Sequence, residues 1–204
     1  MQGETYRNPW LSEPAATPSD ATATPEIASA HGAIELRPQP GAVVRPDTGL
    51  QVSAYPVQGG GWWWLGAHGG AGVSTLQQAA GGQDASRVWP IPSQGGALQV
   101  VVVCRSTAHG LTMAQTAARQ WASGALPWID LLGLVVVADA PGSLPRPLRD
   151  LRHLVEGGYP RSWTVPWVDA WRLGEPSTTH QPRQLASMTR ELASLTRTGI
   201  HHGR

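Results

Sequence analysis

From Trp62 onward, apolar and polar positions fall into runs that alternate between strand and helix spacing; before it the periodicity is lost. Trp62–Leu65 is a short unbroken apolar run and reads as a strand. Ser74–Ala80 follows at helical spacing and is halted by Gly81-Gly82. Arg87–Ile91 reads as a short edge strand, because Pro90 and Pro92 lack the N–H that a central ladder would use. Leu98–Cys104 (LQVVVVC) is apolar at successive positions, the pattern of a strand covered on both faces. A helix is predicted over Thr112–Ser123, closed by Gly124 and Pro127, and Leu131–Ala138 is a second buried strand. Pro147–Glu156 sets Leu148, Leu151, Leu154 and Val155 at helical spacing ahead of Gly157-Gly158, and Ser162–Val168 makes a last strand. Such alternation predicts βαβ units: an α/β class, compact and three-layered, with a mostly parallel sheet.

The flanks read differently. Residues 1–58 are rich in Pro, Ala, Thr and Ser with few large apolar side chains, too few to offset the entropy of ordering, so a disordered arm is predicted there. A short strand over Gln51–Tyr55 fits before a hinge at Gly59-Gly60-Gly61. The domain then occupies 59–175, with strands and helices from Trp62 to Leu173, and 176–204 is a tail. In that tail Leu185, Met188, Leu192 and Leu195 form one stripe of a helix over Pro182–Thr198, ended by Gly199. The stripe calls for a partner surface, either this chain's own sheet or another protein.

Composition narrows the function classes. A net charge of +1 gives no electrostatic case for a dedicated nucleic-acid or anionic-membrane partner. A single cysteine excludes an intramolecular disulfide framework and suits a reducing compartment. The start, MQGETYRNPW, has neither a basic segment nor an apolar core, and the run Leu131–Ala138 is far short of a membrane span. A cytoplasmic protein is therefore expected. All 15 Lys+Arg residues are Arg and Phe is absent, a bias typical of GC-rich bacterial coding.

The segment after the first strand carries the chemistry. His68-Gly69-Gly70-Ala71-Gly72-Val73-Ser74-Thr75 leads from a strand into a helix. Glycines there let successive backbone N–H groups close round an anion at a helix N-terminus. Ser74 stands where a hydroxyl would hold Mg²⁺, and Thr75 where a second would reach a phosphate.

The string HGGAGVST resembles the deviant Walker A motif of the MinD/ParA group of P-loop proteins, K-G-G-x-G-K-[ST]-T. Its glycines and hydroxyls are kept, while His68 and Val73 stand in for both lysines. Val100–Thr107, Leu134–Asp139 and Val165–Trp171 further resemble the later strand ends of MinD-like chains, the second of which meets the nucleotide base. The resemblance implies a P-loop-like α/β domain that binds ATP or another nucleotide with Mg²⁺ through residues 68–75, Arg105 and Asp139. It also implies a protein partner and allows a homodimer. MinD-like chains place a long stretch with switch and Walker B elements after the loop helix, where this chain has only Gly81–Ala97.

Loss of the lysines removes a charge-assisted contact of roughly 1.5–3 kcal/mol in binding, and more in a transition state where charge placement dominates. The expectation is a nucleotide-binding or scaffold subunit without efficient hydrolysis, in a bacterial DNA-partition, transfer or secretion system. Two alternatives stand beside it. One is an unconventional ATPase using Arg105 or His68 as the cation and Asp139 on Mg²⁺; the other is a pure interaction module. Asp139 reads equally as a Walker B carboxylate, a base contact or a cap of the turn after it.

Other constellations are weaker. A phosphatase loop on Cys104 needs Arg where Gly110 stands, and Cys104 with His109 lacks the paired spacing of a zinc site. Trp62, Trp63 and Trp64 should alternate faces of their strand, and Trp163, Trp167 and Trp171 would share one face of a strand. Stacking on a base, core filling and a partner hot spot are all open for that second set.

Overall fold

The computed structural model describes residues 36–58, 60–174 and 181–199. Its elements in chain order are β1 (Gln51–Val57), β2 (Trp62–Gly66), α1 (Val73–Ala80), β3 (Gln83–Asp84), β4 (Val88–Pro92) and β5 (Leu98–Arg105). They continue with α2 (Ala108–Ala122), β6 (Ile129–Val137), α3 (Arg146–Glu156), β7 (Ser162–Val165), α4 (Asp169–Arg172) and α5 (Arg183–Gly199).

Five strands form one sheet in the order β3-β2-β5-β6-β7, and every neighbouring pair is parallel. The first crossover, through α1, steps from β2 outward to β3, while β5 returns to the other side of β2. Right-handed crossovers therefore put α1 and α2 on opposite faces. Trp62, Trp64, Val101 and Val103 pack with Leu76 of α1 and with Leu185, Met188 and Leu192 of α5. Trp63, Val100, Val102 and Cys104 pack on the other face with Leu111 and Ala114 of α2 and Val155 of α3. The three-layer α/β fold with a parallel sheet and a C-terminal helix is thus the fold of this chain, and the three consecutive tryptophans alternate faces as their spacing requires.

Several boundaries differ from the sequence reading for identifiable reasons. Helix α2 starts at Ala108 because Thr107 Oγ1 accepts the Gly110 N–H at 3.0 Å, a cap worth about 1 kcal/mol. A Cβ on Gly110 would run into the Arg105 carbonyl, so only glycine lets the first turn close on β5. Strand β7 stops at Val165, before Pro166, and Trp171 lies in α4; Trp163, Trp167 and Trp171 therefore do not share a strand face. On α3 only Val155 is buried, and Leu154 is 67% exposed.

Of the arm expected to be disordered, residues 1–35 lie outside the described residues. Residues 36–58 lie against the domain: Leu36, Leu50 and Val57 pack on the α2 face, and β1 pairs in parallel with β4 outside the main sheet. Gln120 holds this segment, donating from Nε2 to the Leu50 carbonyl and accepting the Leu50 and Trp89 Nε1 hydrogens on Oε1. At the other end, α5 lies on this chain's own sheet and α1, where Trp163 Nε1 donates to Glu191 at 2.8 Å. Among the described residues no helix is long and apolar enough to cross a membrane.

Candidate functional site

Strand order reverses between β2 and β5, and in open parallel sheets ligands enter the crevice beyond the carboxyl ends of the strands at such a point. Here the crevice is a cavity of about 390 Å³ lined by the glycine loop, the start of α1, Asp84, Arg87 and Arg105. Gly70 (φ +75°) and Gly72 (φ +104°) take left-handed backbone that other residues rarely adopt, which turns the loop into the helix. Among the described residues, none of the N–H groups from Gly69 to Thr75 donates to a protein acceptor; the first to do so is Leu76, to Gly72. A row of free N–H groups at a helix N-terminus is an anion cradle.

Three side chains define its electrostatics. Arg105, the last residue of β5, reaches over the loop: its Nε donates to the Gly70 carbonyl at 3.2 Å and its Nη1 to the Ala138 carbonyl at 2.9 Å. Burial lowers its pKa, with Arg172 acting in the same sense and Asp139 opposing, yet a guanidinium so placed stays charged. Ser74 Oγ donates to Asp84 Oδ2 at 3.1 Å, and Asp84 Oδ1 accepts the Ser86 N–H. Two neighbouring ligands of an octahedral Mg²⁺, each at about 2.1 Å, stand about 3 Å apart, so this oxygen pair fits a magnesium that also takes phosphate and water. The fit concerns these two oxygens alone: among the described residues no three His, Cys, Asp or Glu side chains gather as a metal group.

A family model described as a family of unknown function, DUF6668, matches residues 61–188, more than half of the chain. The chain belongs to this family. The matched span runs from the residue before β2 into α5 and so contains the whole crevice. No curated protein and no solved structure matches the chain.

Within this DUF6668 domain the residues singled out from the loop motif, His68 to Thr75, do line one cavity with Arg105. Their roles differ from those of a lysine-bearing loop. Val73 is buried at 8% exposure and packs on Gly66, where its Cγ2 would be 3.2 Å from an added Cβ. Its side chain belongs to the core. His68 Nε2 accepts the Arg105 N–H at 3.0 Å, which leaves Nδ1 to donate to the Gly69 carbonyl at 2.8 Å. His68 therefore fixes the loop to β5 in the Nδ1–H form. Arg105, and the exposed Arg87 at the rim, are the cations of the crevice.

Asp139 does not line the crevice with Ser74, although its charge acts on Arg105 there. It lines a separate cavity of about 740 Å³ beyond β5, β6 and β7, and its backbone N–H donates to Ser106 Oγ at 3.0 Å. The carboxylate that meets Ser74 is Asp84, which the sequence reading missed. Its strand is two residues long, too short for any periodicity, and the glycines before it read only as a helix stop. Cys104 is fully buried, as a strand residue, and burial pushes its thiol up to about 12.

Proposed function

We propose that this DUF6668 protein is a degenerate, MinD/ParA-like P-loop protein: a nucleotide-binding subunit that serves a protein partner without efficient hydrolysis. The observation that carries the reading is the row of unpaired N–H groups from Gly69 to Thr75, opening into a cavity with Arg105 and Arg87. Such a cradle suits the β- and γ-phosphates of a nucleotide, and Ser74 with Asp84 suits the accompanying Mg²⁺.

Two features argue against turnover. The position of the loop lysine is filled by a core valine. Arg105, the remaining cation of the loop, is tethered to two carbonyls and would have to release them to follow charge developing on a transferred phosphoryl group. The reading of His68 as a substitute cation loses support for a similar reason, since its Nε2 lone pair is in use. A cytoplasmic location, the expectation from the single cysteine, is part of the proposal.

Calorimetric titration with ATP and ADP in the presence of Mg²⁺ tests it. Gly69→Asp is the control variant: an added Cβ there meets nothing within 4 Å, so the new carboxylate repels phosphate without straining the loop. Saturable binding is expected in the wild type, weakened at least tenfold in Gly69→Asp. No binding at millimolar nucleotide would overturn the proposal. Turnover at an ordinary P-loop rate, abolished by Ser74→Ala, would overturn its claim of lost hydrolysis.

A further inference from the structure

The cavity of about 740 Å³ reaches from the strand ends toward the face of the sheet that α2 and α3 cover. Register sets Cys104, Val136 and Thr164 side by side on β5, β6 and β7, on that face. Val136 and Thr164 form the floor of this hollow, the start of α2 borders it with Thr107 and Ala108, and α3 borders it with Leu148 and Arg152. Leu144, Pro166 and Trp167 complete a mostly apolar wall, and the volume is that of a small-molecule site.

The polar groups along the floor share one property. Ser106 Oγ accepts the Asp139 N–H at 3.0 Å, Thr107 Oγ1 accepts the Gly110 N–H at 3.0 Å, and Thr164 Oγ1 accepts from Arg152 Nη2 at 2.6 Å. Each hydroxyl also has one hydrogen to give, and among the described residues none of the three gives it. Arg152 donates from Nε to Glu156 at 2.6 Å, while its Nη1 takes part in no hydrogen bond among the described residues. The Ala108 N–H, in the first turn of α2, has no partner within its own helix. All five groups therefore offer a hydrogen and call for an acceptor.

The carboxylates nearby already have partners. Asp169 accepts the Trp167 Nε1 hydrogen at 2.7 Å, and the charge of Asp139 acts on Arg105. Arg172 lies 5.0 Å from the centre of the Trp167 ring. In and around the hollow the guanidinium groups of Arg105, Arg152 and Arg172 thus balance the carboxylates of Asp139, Glu156 and Asp169. A balanced hollow with a donor-lined floor suits one added negative charge, and three carboxylates close by oppose the double charge of a phosphate monoester. A carboxylate is also planar, matches the guanidinium fork and is favoured at a helix N-terminus. We infer that the hollow binds a small monocarboxylic acid, its apolar body against Trp167 and Leu148 and its carboxylate on Arg152, Thr164 and the start of α2. The inference goes beyond the reading of the crevice and does not rest on it.

Nitrogen–proton correlation spectra of the full chain, titrated with 4-phenylbutyrate, 4-phenylbutanol and 4-phenylbutylamine, test this. The three probes share one apolar body and differ in the head group. The acid is expected to bind about tenfold tighter than the alcohol, the scale of one charge-assisted hydrogen bond. Its shifts should centre on Thr107, Ala108 and Thr164. In Arg152→Gln the advantage of the acid over the alcohol should fall to about twofold or less. If that variant loses its dispersed spectrum, Thr164→Val carries the test, and there the acid should lose several-fold relative to the alcohol. Equal binding of acid and alcohol, tighter binding of the amine, or shifts centred on residues 69–75 would overturn the inference. So would an advantage of the acid unchanged in both variants, or no binding of the acid at tens of millimolar.

Discussion

At the position that carries lysine in the motif this loop resembles, Val73 packs into the core, and the charge beside the loop is that of Arg105. The positive charge comes from the end of β5, across the loop, and the first turn of α1 is left free to bury a β-branched side chain against Gly66. The glycine and hydroxyl frame was legible in the sequence because each residue type answers a backbone requirement that acts locally. Asp84 was not, because its approach to Ser74 depends on β3 pairing beside β2. Cys104, three positions along β5 from Val101, has a consequence at the same scale. Its thiol is raised to about 12 in the folded protein, from an ordinary value near 9. Below pH 9 both folded and unfolded thiols are protonated and the group adds nothing to the pH dependence. Between 9 and 12 only the unfolded thiol ionises, so stability is lost by about 1.4 kcal/mol per pH unit. Denaturant titrations at pH 8 and pH 10 should show the wild type losing about 1.4 kcal/mol more than Cys104→Ala; an equal loss would mean that the folded thiol titrates normally.

Among the elements, the strands and helices that alternate with clear periods were readable, and the pieces tied by a single side chain were not. Residues 36–57 lack a hydrophobic pattern because they are held through backbone pairing of β1 with β4 and through Gln120, which is 2% exposed. No local signal marks a glutamine as the anchor of a segment seventy residues earlier. Gln120→Ala removes both bonds to Leu50 and leaves the fully buried Trp89 indole N–H without its acceptor. A loss of about 2–4 kcal/mol is expected from these unmade bonds. Hydrogen exchange should rise first in β1 and β4, ahead of β5 and β6; uniform acceleration across the sheet would show instead that the segment is integral to the core. The C-terminal stripe was legible as a helix, but its partner was not, since the same spacing serves a sheet or a second protein.

At the scale of the whole molecule, α5 completes one of the two faces of the sheet. Leu185, Met188 and Leu192 are at most 1% exposed and cover Trp62, Trp64 and Val101 together with α1. Deleting residues 182–204 should uncover that face, lower the melting temperature and make the protein self-associate in size-exclusion chromatography. A truncated chain that stays monomeric with an unchanged melting temperature would show that α5 is an accessory. The α/β class and the sheet's parallel character were legible because Trp62–Leu65, Leu98–Cys104 and Leu131–Ala138 were each followed by a helix-length segment. The two separate hollows along the strand ends were not, because they arise where loops from three crossovers meet.

The pairing of the strands also governs how the chain reaches this state. Every ladder among the described residues is parallel, so no hairpin offers a cheap local start, and each pair forms only after a long excursion of the chain has closed. Such topologies fold slowly, with apolar strand surface wet in the meantime. For this protein the delay falls unevenly on the two sides of the sheet. The side bearing Trp63 and Cys104 receives its helices as synthesis proceeds, while the side bearing Trp62 and Trp64 gains α1 early and is completed only when residues 183–199 have left the ribosome. A nascent chain stalled before that point leaves the part of this tryptophan-bearing face that α5 covers open to water.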